Sequence, residues 1–427
     1  MKTKILISIA ILSLLILPSC GKKEPEGTVK KIIRRWLDLS HPLYFRETSG
    51  DKTAIYRIKQ TTNEIACILF DLDGVIDLKP SKNAMYMLRE DKNGNAYLTR
   101  LESDRNQVTD AKLENALSLG ENPHWSVSGS DGVYLVGTSP DGSYKIVAVR
   151  FSRVEPEETY RPETAKDPEI SWNESVFYET STALGTIDAA DDDSIIVFEQ
   201  TLDDGSGNTA PYYLKEAKGT PEKIGSDPLV ELGDISPDGK KLLTVMNLNR
   251  RDELFMYDFD SGELRQITMS PMDYVTRHPA WHPGGKYFLY TTDYTTDFME
   301  GGTKLSGEQL FLYSMASNHA RRLTALEGKE MWVDFTRNGD FLLYQTTPGV
   351  PARHGEKIFE NPENANVETW RMYYIQWDFE EFVTGKRDIL PPEFFNMIIT
   401  WTDDGSNNIG FRWGPGGEWI PPEERAR

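Results

Sequence analysis

The stretch that decides the fold is residues 232–243, Leu-Gly-Asp-Ile-Ser-Pro-Asp-Gly-Lys-Lys-Leu-Leu. Its centre, Pro237-Asp238-Gly239, is typical of a tight turn, because proline presets one corner and glycine accepts a positive φ at another. Apolar residues lie on both sides of this turn, as expected for two strands joined by a hairpin. The stretch therefore predicts a β-hairpin in which Asp238 caps backbone amides of its own turn.

Related stretches recur along the chain. Residues 184–188 precede this hairpin by one repeat, and residues 279–290 follow it and carry the turn Pro283-Gly284-Gly285. Weaker copies lie at residues 123–125, around Asn338-Gly339 and around Asp404-Gly405. A repeat of this length is typical of blades that cannot bury both faces alone and therefore stack around an axis. We predict an all-β protein over residues 41–427, a β-propeller of about seven blades, with six as the alternative.

Residues 235–241, Ile-Ser-Pro-Asp-Gly-Lys-Lys, resemble the core motif of TolB-like propeller repeats. Residues 253–262 and Gln266-Ile267-Thr268 resemble the later strands of the same repeat. The resemblance is strong over residues 232–328 and weaker on either side, and it implies an envelope propeller used as a binding platform. That family usually has six blades. Here a seventh is expected from residues 398–420 with an N-terminal strand near residues 53–60, which would remove a free sheet edge.

The N-terminus has the pattern of an export signal. Lys2 and Lys4 precede an apolar run over residues 5–17, which is short for a membrane span. The run ends in Leu-Pro-Ser-Cys-Gly, which resembles the bacterial lipobox, so we expect a signal peptide over residues 1–19 and acyl chains on Cys20. The alternative is an ordinary signal peptide with a chance cysteine. Because Gly21 is not the aspartate associated with inner-membrane retention in enteric bacteria, the resemblance favours the outer membrane.

Residues 20–27 are polar and rich in Gly and Pro, and they predict a tether between lipid and folded domain. Thr28 can cap a short amphipathic helix over residues 28–40. One face of this helix is apolar and the opposite face is basic. Two interpretations remain open: a helix packed on the domain with a solvated basic face, or a helix on the membrane surface.

The composition limits the partners. Lys and Arg number 47 against 67 Asp and Glu, which gives a formal net charge of -20. Such a surface repels phosphate backbones, so nucleic acid is not an expected partner. With Cys20 acylated, Cys67 has no partner for an intramolecular disulfide. We predict no cofactor.

One motif favours a different function. Residues 68–77, Ile-Leu-Phe-Asp-Leu-Asp-Gly-Val-Ile-Asp, resemble the nucleophile motif of haloacid-dehalogenase-type phosphatases. The resemblance would make Asp71 the nucleophile and Asp73 the general acid, with Gly233, Asp234 and Asp238 holding Mg²⁺. That fold needs helices between parallel strands, whereas residues 75–230 have the pattern of antiparallel hairpins.

Other metal and nucleophile patterns are weak. Asp91, Asp204 and Asp404 begin loops with alternating oxygen donors, as calcium loops do, but these are also good hairpin turns. His278 and His282 are four residues apart, yet Pro279 excludes the helix that a zinc motif needs. Gly-x-Ser-x-Gly does not occur. We predict no metal site and no catalytic residues.

Proline-rich residues 348–392 predict an inserted loop region, either on a binding face or as a cap over the central channel. Together these features predict a lipid-anchored, non-enzymatic envelope propeller that binds a protein or glycan. The alternative is an envelope hydrolase that uses Asp71, Asp73 and a metal ion.

Overall fold

The computed structural model describes residues 43–49, 52–58, 65–102, 108–113, 118–120, 123–154, 169–271, 274–293, 309–323, 330–335, 341–346, 371–376, 396–400 and 411–413. These residues form strands and turns. None of their segments is a helix able to cross a membrane. The predicted signal peptide (1–19), tether (20–27) and helix (28–40) lie outside the described residues, as do Cys20, Asn338-Gly339 and Asp404-Gly405.

The described strands form seven four-stranded antiparallel sheets, numbered here as blades 1 to 7. Blade 1 contains β1 (Leu43–Ser49), β2 (Lys52–Ile58), β3 (Ile65–Asp73) and β28 (Phe411–Trp413). Blade 2 contains β4 (Val75–Pro80), β5 (Ala84–Glu90), β6 (Ala96–Glu102) and β7 (Val108–Lys112). Blade 3 contains β8 (Trp125–Val127), β9 (Gly132–Thr138), β10 (Tyr144–Val154) and β11 (Glu169–Thr180).

The remaining blades follow in chain order. Blade 4 contains β12 (Leu184–Ala189), β13 (Ile196–Thr201), β14 (Thr209–Leu214) and β15 (Glu222–Lys223). Blade 5 contains β16 (Leu229–Ile235), β17 (Lys241–Asn247), β18 (Asp252–Asp258) and β19 (Leu264–Gln266). Blade 6 contains β20 (Thr276–Trp281), β21 (Tyr287–Thr292), β22 (Gln309–Ser314) and β23 (His319–Arg322). Blade 7 contains β24 (Glu330–Phe335), β25 (Phe341–Thr346), β26 (Arg371–Gln376) and β27 (Asn396–Thr400).

The sheets are arranged as a ring. One strand at the edge of each blade contacts its equivalent in the next blade, in the order β28, β4, β8, β12, β16, β20, β24 and back to β28. These seven innermost strands surround a central axis, which is the architecture of a β-propeller. The prediction of an all-β propeller with about seven blades is confirmed.

The two ends of the chain meet in blade 1. β28 pairs antiparallel with β1 in the register Leu43↔Trp413 and Phe45↔Phe411. Blade 1 therefore takes three strands from the N-terminal part and one from the C-terminal part. The expected division was different: residues 396–400 are the outermost strand of blade 7, not part of the closing blade. The prediction gave the closing blade one N-terminal strand, near residues 53–60. In the structure the strand over residues 43–49 also belongs to that blade and lies between β28 and β2.

Apolar side chains between neighbouring blades hold the ring together. Trp125, Leu135 and Val149 of blade 3 form one buried cluster with Tyr86 and Leu98 of blade 2. Equivalent clusters join blades 1 and 2, blades 3 and 4, blades 4 and 5, and blades 5 and 6. Each sheet of blades 2 to 5 thus buries both faces because it has a neighbour on each side, as the repeat pattern predicts.

A polar contact accompanies two of these interfaces. Tyr134 Oη donates to Asp193 Oδ1 at 2.9 Å, and Arg150 donates to both Asp193 and the Tyr134 hydroxyl. Burial raises the pKa of Tyr134, with the Asp193 carboxylate adding to that shift. Tyr86, Arg100 and Asp131 repeat the arrangement between blades 2 and 3.

The structure places the motif turns between innermost strands and their neighbours. In Pro237-Asp238-Gly239, the Gly239 amide donates to Ser236 O at 2.8 Å, and Gly239 has a φ of 69°. The Lys240 amide donates to Asp238 Oδ1 at 3.1 Å, so Asp238 caps its own turn. In Pro283-Gly284-Gly285, the Gly285 amide donates to His282 O at 2.8 Å. Within the predicted insertion 348–392 the structure describes only β26, which is the third strand of blade 7.

Candidate functional site: the central channel

The innermost strands bring polar side chains together around the central axis. In each of blades 2 to 5, a backbone N–H of the first hairpin donates to a carbonyl across the turn. The donors are the amides of Ser81, Ser128, Ala190 and Ser236. Two positions before them lie Lys79, Ser126, Asp188 and Asp234, which we call the bridging residues. Because they occupy equivalent positions in blades 2 to 5, they lie at the same level of the ring.

Each bridging residue makes a hydrogen bond to the next blade. Lys79 Nζ donates to Trp125 O at 2.5 Å, and Ser126 Oγ donates to Asp188 Oδ1 at 2.8 Å. The Ile235 amide donates to Asp188 Oδ2 at 3.2 Å. The Trp281 amide donates to Asp234 Oδ2 at 2.6 Å. A chain of polar contacts therefore connects blades 2 to 6 without a break.

Asp188 is the centre of this chain. It is half-buried and accepts one hydrogen bond from each neighbouring blade. Burial raises the pKa of the Asp188 carboxyl, while the hydrogen bonds from Ser126 and the Ile235 amide act in the opposite direction. The carboxyl therefore serves as an acceptor for two blades.

A second set of polar groups lies on the inner strands and on β13, farther from the first hairpins. The His278 amide donates to both oxygens of Glu231, and His278 Nδ1 lies 3.3 Å from Glu231 Oε1. His278 has a φ of 54°, which is unusual for a residue other than glycine. In blade 4, the Thr186 amide donates to Glu199 Oε2 at 3.2 Å.

His124 occupies the equivalent place in blade 3. Burial lowers the pKa of His124, the Glu199 carboxylate opposes that shift, and Lys79 adds to it. Imidazole, ammonium and carboxylate groups thus lie on or beside the innermost strands of blades 2 to 6. A polar ligand bound near the axis would meet charges of both signs.

The predicted phosphatase set is not brought together. Asp71 and Asp73 lie on β3, the outermost strand of blade 1, whereas Asp234 lies on the innermost strand of blade 5. Asp73 forms an ion pair with Lys52 at 3.0 Å. All described sheets are antiparallel, so the strand–helix context of that motif is absent there. Among the described residues no group of three His, Cys, Asp or Glu side chains could hold a metal ion.

Asp234 was predicted in a different role, as a Mg²⁺ ligand, and Lys79, Ser126 and Asp188 were not predicted as site residues. Their position in the repeat could have identified them, because Asp188 and Asp234 occupy the same place in consecutive repeats. Aligning the hairpins by their turns would have placed all four in one ring.

Replacing Asp188 tests the bridging role. Asp188→Ala is expected to lower the free energy of unfolding by about 1 to 3 kcal/mol, because two donors lose their acceptor. Since burial raises the pKa of Asp188, the folded state favours the protonated acid, and its contribution to stability falls as pH rises through the folded pKa. Asp188→Asn removes the charge and keeps an acceptor, so its cost at pH 7 should be smaller.

Urea unfolding measures both variants, with exposed Asp203→Ala as the control. Equal losses for Asp188→Asn and Asp188→Ala would contradict this account, because they would mean that the ionised carboxylate itself is required.

Comparison with known proteins gives the fold and not a family. No family model matches the chain, and no curated protein matches its sequence. The propeller domain of the Trilobed protease from Pyrococcus furiosus is similar at 13% identity and a TM-score of 0.50, over 86% of this chain and all of that one. That domain is described as having an open velcro topology, whereas β28 and β1 pair here.

TolB and enzymes are also among the structural neighbours. TolB from Acinetobacter baumannii matches at 13% identity and a TM-score of 0.43, over 87% of this chain and 83% of that one. Oligogalacturonate lyase from Vibrio parahaemolyticus matches at 11% identity and a TM-score of 0.49, over 71% and 87%. The prediction that the chain is not an enzyme is wrong as an inference from its architecture, because the propeller domain of the Trilobed protease has the same fold.

Proposed function

We propose that this chain is a lipid-anchored β-propeller of the cell envelope that binds a protein or glycan partner. The observation that carries the proposal is the order of elements along the chain. An export signal ends in the lipobox-like Leu-Pro-Ser-Cys20-Gly, and a short polar tether separates it from a propeller. A lipid-modified cysteine in that place would hold the propeller at the membrane, with Gly21 favouring the outer membrane.

The ring supports the binding part of the proposal. Inter-blade hydrogen bonds hold the inner strands in one arrangement, so groups around the axis are ordered before a ligand arrives. Lys79, His124, Glu199, Glu231 and His278 supply donors and acceptors suited to a polar partner. The net charge of -20 disfavours nucleic acid as that partner.

The Cys20→Ser variant tests the anchor. Acyl transfer requires the Cys20 thiol, and two or more chains are needed for stable attachment. We expect the variant to lose labelling by an alkyne fatty acid and to leave the membrane fraction. Cys67→Ser is the matched control, because it removes the other thiol and should change neither readout. Unchanged labelling and detergent partitioning of Cys20→Ser would contradict the anchor.

Crosslinking in intact cells tests the partner. The wild type should give a discrete adduct that Cys20→Ser does not, because the unanchored chain is no longer held beside its partner. If the wild type is anchored but gives no adduct, the binding proposal is contradicted while the lipid anchor stands.

A further inference from the structure

A methionine side chain lies on the surface between blades 5 and 6. Met269 is 80% exposed, and among the residues whose side chains the structure describes it is the one exposed large apolar residue. It belongs to the segment that follows β19 and leads to β20. The thioether of Met269 is therefore accessible to reagents dissolved in the surrounding water.

Both neighbours of Met269 are bound to a buried carboxylate. Thr268 Oγ1 donates to Glu253 Oε2 at 2.6 Å, and the Ser270 amide donates to Glu253 Oε1 at 2.7 Å. The Glu253 side chain is fully buried. The Ser270 carbonyl also accepts a hydrogen bond from Arg251 Nη1 at 3.3 Å. Because these contacts fix the backbone on either side, the folded structure itself places the Met269 side chain in solvent, and no local opening is needed to expose it.

The other methionines with described side chains pack in or against the core. Met85 and Met87 lie in the cluster between blades 1 and 2, and Met246 lies in the cluster between blades 4 and 5. All three are fully buried. Met256 is 7% exposed in the cluster between blades 5 and 6, and Met315 is half-buried against that cluster. A reagent reaches the three fully buried sulfur atoms only after part of the propeller opens.

Thioether sulfur reacts with peroxides by oxygen transfer. The sulfur lone pair attacks one oxygen of hydrogen peroxide, an S–O bond forms as the O–O bond breaks, and the other oxygen leaves as water. Sulfur loses two electrons and the peroxide gains them, so methionine becomes methionine sulfoxide. At Met269 the new polar oxygen would remain in water. At Met246 it would lie among apolar side chains, where an unpaired polar group is costly.

We propose that Met269 is an oxidation site of this protein, which peroxides convert to the sulfoxide before the buried methionines react. The reaction replaces an apolar side chain by a polar one at a fixed place on the surface and leaves the fold intact. The inference rests on neither the lipid anchor nor the identity of a partner.

A time course with hydrogen peroxide at pH 7 tests the proposal on the purified full-length protein. Tryptic peptides are analysed by mass spectrometry. Met269 and Met272 fall in one peptide, residues 266–277, so fragment ions between them assign the sulfoxide. Met246 falls in another, residues 242–250, and is the buried reference. We expect Met269 to be oxidised more than about tenfold faster than Met246, because Met246 reacts only through an open state.

Met269→Leu keeps an apolar side chain and removes the sulfur. It should abolish the early mass increase of the peptide over residues 266–277; if that increase persists, Met272 carries it and the inference is overturned. Wild-type protein oxidised at Met269 should unfold at the same urea concentration as untreated protein.

Protein recovered from cells exposed to hydrogen peroxide should carry the sulfoxide at Met269. Absence of the sulfoxide in that protein would overturn the inference. Equal oxidation rates at Met269 and Met246, or unfolding as soon as Met269 is oxidised, would do the same. None of these results bears on the Cys20 anchor.

Discussion

Deletion of residues 405–427 is expected to make the protein insoluble. The deletion removes β28, which pairs with β1 and contacts the innermost strands β4 and β24 on its two sides. Its loss opens the ring and exposes the edge of β1. An exposed edge of this kind is a template for aggregation. Deletion of residues 416–427 keeps β28 and is the matched control.

Soluble yield, circular dichroism and thermal melting compare the two truncations. A linear stack of repeats would lose one interface and stay folded. If the longer deletion is soluble, keeps its strand signal and melts almost as the full chain does, closure by β28 is contradicted.

A disulfide tests the same closure without deletion. In a Cys67→Ser background, Leu43→Cys combined with Trp413→Cys places thiols on directly opposite residues of β1 and β28. Such a bond typically stabilises a protein by about 2 to 4 kcal/mol. Leu43→Cys with Arg412→Cys shifts one thiol to the other face of the strand and should not crosslink.

Glu253→Ala is expected to lower the free energy of unfolding by about 3 to 5 kcal/mol. The Glu253 side chain is fully buried in blade 5. Thr268 Oγ1 donates to Glu253 Oε2 at 2.6 Å, and the Ser270 amide donates to Oε1 at 2.7 Å. Removing the carboxylate leaves the buried Ser270 amide and the half-buried Thr268 hydroxyl without their acceptor and opens a cavity.

Urea unfolding at pH 7 measures this loss. Glu253→Gln keeps one acceptor oxygen and should lose less than Glu253→Ala. Exposed Glu263→Ala, in the same blade, should change stability by less than about 0.5 kcal/mol. If Glu253→Ala lowers the free energy of unfolding no more than Glu263→Ala does, this account is contradicted. The buried carboxylate would then not stabilise the segment with Thr268 and Ser270 that connects blades 5 and 6.

Local features of the sequence determined the blade. The Pro237-Asp238-Gly239 turn and the alternating residues around it specify a hairpin from chemistry within about a dozen residues. The repeat then implies radial stacking, because one such sheet cannot bury both faces. These interactions join residues that are close together in the sequence, so they could be predicted without knowing what lies beside each blade.

The tertiary structure alone decided how the ring closes and which polar groups meet. β28 contains three residues and pairs with β1, at the other end of the chain. No local pattern distinguishes so short a strand from a turn. Ser126 and Asp188 are 62 residues apart, and Asp188 and Ile235 are 47 apart. Their hydrogen bonds depend on the angle between neighbouring blades, which is set by packing of whole sheets and not by any single repeat.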